Sequence, residues 1–514
     1  MSWSLPSRLS AETPTALIGA VSVGHFLSHA YFLTFPPLFP LLFAQFDVTY
    51  AELGLLVSSL FAMMFVFQIP FGWVVDKGYA KPVLVGGLLL TAGGILGAST
   101  ATSYPVLLAF ALISGVGQAT YHPANYTLID VVSTDDRAGR NFSIHTFAGY
   151  AGSGFAPVVV GGLGLRYGWR PALVMAGVVG IGYAILVQLG VDTVYANELA
   201  SRTEPADDER DDDESVVREL LRPFFRLTIL AMFLFVVIVV AEAGIQSFTI
   251  VFLVESLGLT ESTGNTALTT FFVLAAFGVL IGGYLADRFA PANVIFGCIG
   301  GAAAVTFLLT LEILPATVLA SLALFGAIGL GYGLAMPARD RLVAEYSPAE
   351  SVGKSFGLVF TGAAVGGTVG PVMIGAAIDV SRVGVSMFLV GAFFLVGAGI
   401  IGLLKLGTTS GQHVPLAPAV VQLTCRDSRG CRGGRPDRHP LYPSPPTPRD
   451  GRPTRCCSRT VVYWSVPVDD ERGCLKSGDY RAVASVTSTT AATAEARARP
   501  VLSRDVRWRR RGRR

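Results

Sequence analysis

Two pairs of polar residues stand where polar residues are costly. His25 and His29 lie four apart in the apolar stretch 16–43, and Glu242 and Gln246 lie four apart in the apolar stretch 224–255. A spacing of four places both members of a pair on one face of a helix. An ionisable side chain inside a long apolar segment faces a cavity or a partner rather than lipid. Glu242 is the one carboxylate deep in such a segment. That position suits a group that binds and releases one proton per cycle; the ordinary alternative is a structural hydrogen bond to a neighbouring helix. His29 is the second candidate for proton coupling. Tyr121, His122, Asn125 and His145 extend the set on two further apolar stretches. Histidine titrates near neutrality, so with His25 and Gln246 these residues are candidates for a substrate cavity. Against this stands the plain reading of packed, hydrogen-bonded histidines.

Other chemistries are not supported. His25 and His29 lack an identifiable third ligand and no cysteine pair has CxxC spacing, so no metal site is expected. No H-E-x-x-H and no nucleophile–base set appears, so an enzyme is not expected, nor is a cofactor. Cys298 is the single cysteine before residue 407, and Cys425, Cys431, Cys456, Cys457 and Cys474 follow without a regular framework.

Something must hold these side chains in an apolar medium, and composition says what. Of the 514 residues 52% are hydrophobic and only 15% charged, and the mean hydropathy is +0.55. A soluble domain carries about a quarter charged residues. A helix needs roughly 20 apolar residues to span a bilayer. Twelve such runs are readable: 16–43, 50–75, 82–100, 105–130, 140–165, 171–194, 224–255, 265–286, 292–312, 316–340, 354–378 and 385–406. The first is too long for a signal core and lacks a cleavage pattern. Thr49-x-x-Glu52 and Ser347-Pro348-x-Glu350 read as capping boxes, and Pro36, Pro37 and Pro40 are expected to bend the first span.

Lysine and arginine set the orientation. With a cytoplasmic N-terminus, fifteen basic residues of the span region fall inside and three, Arg166, Arg170 and Arg382, outside. Both termini are therefore expected in the cytoplasm of a multi-pass cell-membrane protein.

The chain divides into a six-helix bundle, 1–194, an acidic linker, 195–223, a second bundle, 224–406, and a tail, 407–514. The linker centre, Asp207 to Glu214, is a self-repelling charge run. The halves repeat at an offset of 214: Gly115-x-Gly117 with Pro123 matches Gly329-x-Gly331 with Pro337, and Gly152, Pro157 and Gly161 match Gly366, Pro371 and Gly375. Parallel six-helix repeats place a substrate site between them. The tail carries 21 basic against 9 acidic residues, whereas residues 1–406 carry 18 against 27. It lacks Ile, Phe, Met and Asn and is expected to be disordered. It reads either as a basic segment touching lipid head groups or nucleic acid, or as out-of-frame sequence; the second is preferred, and no nucleic-acid partner is expected.

Gly72-Trp73-Val74-Val75-Asp76-Lys77-Gly78, with its weaker partner Gly283-Tyr284-Leu285-Ala286-Asp287-Arg288, resembles the signature loop of the major facilitator superfamily. The resemblance covers 16–406. It implies an all-α membrane protein of twelve transmembrane helices in two pseudo-symmetric six-helix bundles, working as a secondary transporter by alternating access. It also implies a cytoplasmic gate at Asp76, Lys77, Asp287 and Arg288, with Arg137, Arg140 and Lys354 as partners of Asp76. Gly117-Gln118-Ala119-Thr120-Tyr121-His122-Pro123 is similar to the fosmidomycin-resistance-like efflux branch. The Gly/Pro-rich fifth span resembles the superfamily's antiporter motif, but Ala156 stands where its Gly would precede Pro157. The expectation is proton-coupled efflux of a small organic solute by a monomer. The rivals are proton-coupled uptake of an organic anion, if Arg339 or Arg341 faces the cavity, and a non-transporting sensor.

Overall fold

The computed structural model describes residues 14–134, 137–191, 223–311, 316–346, 352–409, 461–464 and 483–486. The acidic linker centre, the Ser347–Glu350 box and the tail cysteines lie outside the described residues.

The first span is α1 (Pro14–Phe32), a short 3-10 turn (Pro36–Leu38) and α2 (Phe39–Phe46). The bend falls at the prolines, as their missing N–H groups require. Asp47 ends α2 in the left-handed region, φ 53°, which Asp tolerates better than most residues. Thr49 then starts α3 (Tyr50–Val74): its Oγ1 accepts from the Glu52 N–H at 3.2 Å, and Glu52 Oε2 accepts from the Thr49 N–H at 2.8 Å. The capping box read from the sequence is formed.

A five-residue π-type turn, Val75–Tyr79, joins α3 to α4 (Ala80–Ala98). Eleven helical stretches among the described residues are long and apolar enough to cross a membrane, and one of them is the 49-residue run Tyr50–Ala98. At 1.5 Å per residue that run would be about 73 Å long, more than twice the thickness of a hydrocarbon core. Gly78, at φ 90°, breaks its helical path, so it is two spans and the total is twelve.

The first half continues with α5 (Tyr104–Gln118) and α6 (Tyr121–Val132), one span interrupted at Ala119–Thr120, then α7 (Ala138–Tyr167) and α8 (Trp169–Gly190). The second half holds α9 (Pro223–Glu255), α10 (Glu261–Arg288), α11 (Pro291–Thr310), α12 (Val318–Tyr346), α13 (Val352–Asp379) and α14 (Val385–Thr409). The sequence repeat is also a repeat of packing. Gly115 sits against the backbone of Ser59 and Leu60 on α3, and Gly329 sits against that of Phe271 on α10. Small residues let these helices approach closely.

The halves meet on two seams. Where α3 meets α13, a Cβ on Gly54 would lie 2.3 Å from the Pro371 carbonyl oxygen, and one on Gly375 would lie 2.2 Å from that of Tyr50. The Val372 N–H donates to Ser58 Oγ at 3.3 Å. Asp379 Oδ1 and Oδ2 accept from the N–H groups of Tyr50 and Ala51 at 2.8 and 2.9 Å. Where α7 meets α10, Thr269 Oγ1 donates to the Gly154 carbonyl at 2.7 Å. These contacts lie toward the end of the bundle where α3 and α10 begin. Toward the other end the same helices carry exposed side chains: Ile69 and Trp73 on α3, Phe147 on α7, Ile281 on α10 and Phe360 on α13. The halves are thus bonded at one end; at the other, the splayed end, no hydrogen bond or ion pair joins them among the described residues.

The unit His413–Arg514 stands by itself. Its described residues are β1 (Val461–Trp464) and β2 (Val483–Val486), paired antiparallel with Val461 opposite Val486. The sequence reading gave this stretch no regular structure; the β-branched and aromatic run Val461-Val462-Tyr463-Trp464 has the residue types that favour a strand.

Candidate functional site

Each half contributes one polar cluster. In the second half, Glu242 projects from α9 toward α12. Its Oε2 accepts the Tyr332 hydroxyl proton at 2.5 Å, and its Oε1 accepts from Gln246 Nε2 at 3.1 Å. The i,i+4 spacing therefore brings Glu242 and Gln246 together as expected. Gly244, on another face of α9, packs against the apolar side chains of Ile374 and Val390.

Arg339 lies two turns beyond Tyr332 on α12. Its Nε and Nη2 both donate to Asp340 Oδ1, at 3.0 and 2.9 Å. Its guanidinium carbon lies 3.9 Å from the Phe235 ring centroid, a cation–π placement. The Arg339 side chain is only 12% exposed. Tyr150 reaches in from α7, and its hydroxyl faces Tyr332 with Glu242 and Arg339 close by. Sequence reasoning missed Tyr150 and Tyr332. Tyrosine is ordinary in membrane spans, and no spacing ties residue 150 to residue 332.

In the first half, four imidazoles from α1, α6 and α7 form a nest. His25 stacks on His145 with centroids 3.9 Å apart, and His29 and His122 stand edge-on to His25 at 4.5 and 5.6 Å. Tyr126 lies against both His122 and His145. His25 Nδ1 donates to the His145 carbonyl at 2.8 Å, which fixes the tautomer of a neutral His25 ring, and His29 Nδ1 meets Ser153 Oγ at 3.2 Å. Gly149 makes room: a Cβ there would lie 2.7 Å from His25 Cε1. Two imidazolium charges about 4 Å apart repel by about 4 kcal/mol at an effective dielectric of about 20, so the nest favours one charge at most.

Several buried atoms of these clusters have no hydrogen-bond partner among the described residues: His25 Nε2, His122 Nδ1, both ring nitrogens of His145, both amide atoms of Asn125 and Gln246 Oε1. At membrane depth such groups are tolerated where they line a watered cavity. The Tyr121 hydroxyl, on the side of Thr91, is likewise buried without a hydrogen-bond partner among the described residues. No set of three or more His, Cys, Asp or Glu able to hold a metal is found among the described residues.

The expected gate residues sit at the splayed end. Asp76 and Lys77 are exposed at the π-type turn, and Asp76 makes no ion pair among the described residues. Arg137 and Arg140 are exposed; the Lys354 side chain lies outside the described set. Among the described residues Asp76 has no ion-pair partner from the other half. Asp287 pairs instead with Arg341 Nη1 at 3.7 Å, and Arg341 Nε binds Glu345 Oε1 at 2.8 Å. Arg288 lies over the Tyr284 ring. Arg341 is thus engaged at the helix ends, whereas Arg339 is the arginine beside Glu242.

Twelve spans in two repeats around a polar centre define a membrane transport protein. The chain belongs to the Major Facilitator Superfamily, whose profile matches residues 21–252 and again 232–464. It is similar to the uncharacterized MFS-type transporter YfnC of Bacillus subtilis, 25% identical over 75% of this chain and 91% of the relative. It is also similar to the fosmidomycin resistance protein of Escherichia coli, 25% identical over 59% of this chain and 73% of the relative. A bacterial homologue of the human lysosomal transporter Spinster, solved inward-facing and unoccupied, shares the fold: TM-score 0.63, 16% identity, 79% of this chain and all of that one. The chain is a multi-pass membrane protein of that family and fold.

Proposed function

We propose that this protein is a proton-coupled transporter of a small organic solute, working by alternating access as a monomer in the cell membrane. The observation that carries the proposal is Glu242: a half-buried carboxylate mid-span, bonded to Tyr332 and Gln246, with Tyr150 of the other half close by. A carboxylate in that place holds or releases a proton as the cavity changes sides. The histidine nest, His29 included, shares the proton-handling role, and His25, Tyr121, His122, Asn125, His145 and Gln246 line the solute path. With the termini in the cytoplasm, the closed end is extracellular and the structure is the inward-facing state. Asp76, Lys77, Arg137, Arg140, Asp287 and Arg288 then lock the cytoplasmic end in the opposite state. The similarity of residues 117–123 to an efflux branch, and a relative named for fosmidomycin resistance, support export.

Arg339 favours a second reading, uptake of an organic anion. Its guanidinium is buried beside Glu242 and the two tyrosines, where a carboxylate or phosphonate could replace Asp340 as its partner.

The test is transport by the full chain in liposomes with an internal pH dye, against a panel of hydrophobic cations and small organic anions, with Glu242→Gln alongside. Solute-driven proton flux that disappears in the mutant is expected; equal flux in both proteins would remove Glu242 from coupling.

A further inference from the structure

A proton bound on α9 alters transport only if some contact reports it to the other half. Around Glu242 the titratable and charged groups are Tyr332 and Arg339 from α12 and Tyr150 from α7, with Asp340 held by Arg339. Gln246 is the polar neighbour from α9 itself. From α13 and α14 the neighbours at Gly244 are Ile374 and Val390, which cannot titrate. Tyr332 bonds the carboxylate and also faces Tyr150, which belongs to the first half.

We infer that Tyr332 and Tyr150 form a proton-sensitive bridge by which Glu242 signals its protonation state across the two six-helix halves. The inference rests on Glu242 being the proton carrier. While Glu242 is a carboxylate it can only accept, so the Tyr332 proton points to Oε2 and the Tyr332 oxygen is free to accept from Tyr150. One proton taken from cavity water onto Oε2 turns Glu242 into a donor at that atom. The Tyr332 oxygen then accepts from Glu242, and its own proton must turn to the Tyr150 oxygen. The Tyr332–Tyr150 contact thereby changes from one in which Tyr150 donates to one in which Tyr332 donates, and the Tyr150 O–H, still protonated, turns toward the cavity. No atom other than the incoming proton is gained. Phe271, whose ring centroid lies 5.8 Å from that of Tyr332, packs beside the hydroxyphenyl ring and limits its swing. Tyr332 and Tyr150 are positioning residues, since the proton resides on Glu242.

The test needs no substrate. The full chain, with its cysteines replaced by serine, is placed in lipid nanodiscs and titrated with pH. Infrared difference spectra follow the carboxylic C=O band that Glu242→Gln removes. Spin labels at Ser143→Cys on α7 and Ile281→Cys on α10, both exposed toward the splayed end, report the separation of the halves. In the parent protein the label distance is expected to change with the same midpoint as the Glu242 band. In Tyr332→Phe, and separately in Tyr150→Phe, the band should still titrate while the distance change is lost. The band midpoint should move in Tyr332→Phe and hardly at all in Tyr150→Phe, a difference that a general loss of packing would not produce. A label distance that follows pH in both phenylalanine variants as in the parent overturns the bridge and leaves Glu242 as carrier. A parent protein with no titrating band dependent on Glu242 overturns the carrier reading and the bridge with it.

Discussion

Asp379, the last residue of α13, caps α3 by taking the Tyr50 and Ala51 N–H groups on its two oxygens at 2.8 and 2.9 Å. A side chain of one half thus supplies the amino-terminal cap of a helix in the other. Beside it, the Tyr50 hydroxyl donates to Glu255 Oε1 at 2.5 Å. These bonds must break whenever the closed end opens, so they set part of the bias toward the state seen here.

Asp379→Asn should therefore populate the state open at that end. Loss of a good cap is worth about 1 kcal/mol, a shift of about fivefold in population. Spin-label distances across the α3–α13 seam would reveal it. An unchanged distribution would show that the seam is held by packing alone.

Packing is the second lock. Gly54→Val places a side chain against the Pro371 carbonyl, and Gly375→Val places one against that of Tyr50. Both obstacles are backbone and cannot swing away. Each variant should fold, fail to close this end and transport at less than about a tenth of the parent rate, a barrier increase of about 1.4 kcal/mol or more. Parent-like cross-linking between cysteines placed on either side of the seam would contradict this.

Gly78 makes a different prediction, because its constraint is conformational. Its φ of 90° belongs to the left-handed side, so Gly78→Ala should cost about 1–2 kcal/mol. Gly72→Ala, with open space around its Cβ, should be nearly silent. Thermal unfolding of the two variants in one detergent compares them directly; equal loss would mean that the turn relaxes.

Arg339 decides between solutes. Arg339→Lys keeps the charge but loses the fork that binds both oxygens of an anion. If organic anions are carried, their uptake should fall about tenfold or more in Arg339→Lys while neutral solutes are unaffected. Uptake of anions at the parent rate in this variant would leave Arg339 as a structural partner of Asp340 and Phe235.

What could be read from the chain follows from how far apart the interacting residues lie. Thr49 with Glu52, and Glu242 with Gln246, sit within one helical turn, so spacing alone predicts both contacts. The twelve spans follow from apolar run length, and the glycine repeat at Gly115 and Gly329 from direct comparison of the halves. Tyr50 with Asp379 and Tyr150 with Tyr332 are different. They join residues with no shared periodicity, and which tyrosine or carboxylate meets which is decided by the crossing of α3 on α13 and of α7 on α10, which brings α7 to face α12. The expectation for Asp76 also shows a limit. The proposed latch at Asp76 would have its partner in one state of the cycle, and spacing along the chain does not say which state that is.

The short connection between α3 and α4 has a mechanical meaning. The two spans are joined over Val75–Tyr79 by a tight turn kinked at Gly78, so little chain lies between them. A tilt of α3 at the splayed end is delivered to α4 as a crank delivers a rotation, and through α4 to α5 and α8, which pack on it. In the proposed cycle the signature sequence is then an elbow as well as a lock: it passes a tilt of α3 on to α4, with Asp76 at the turn.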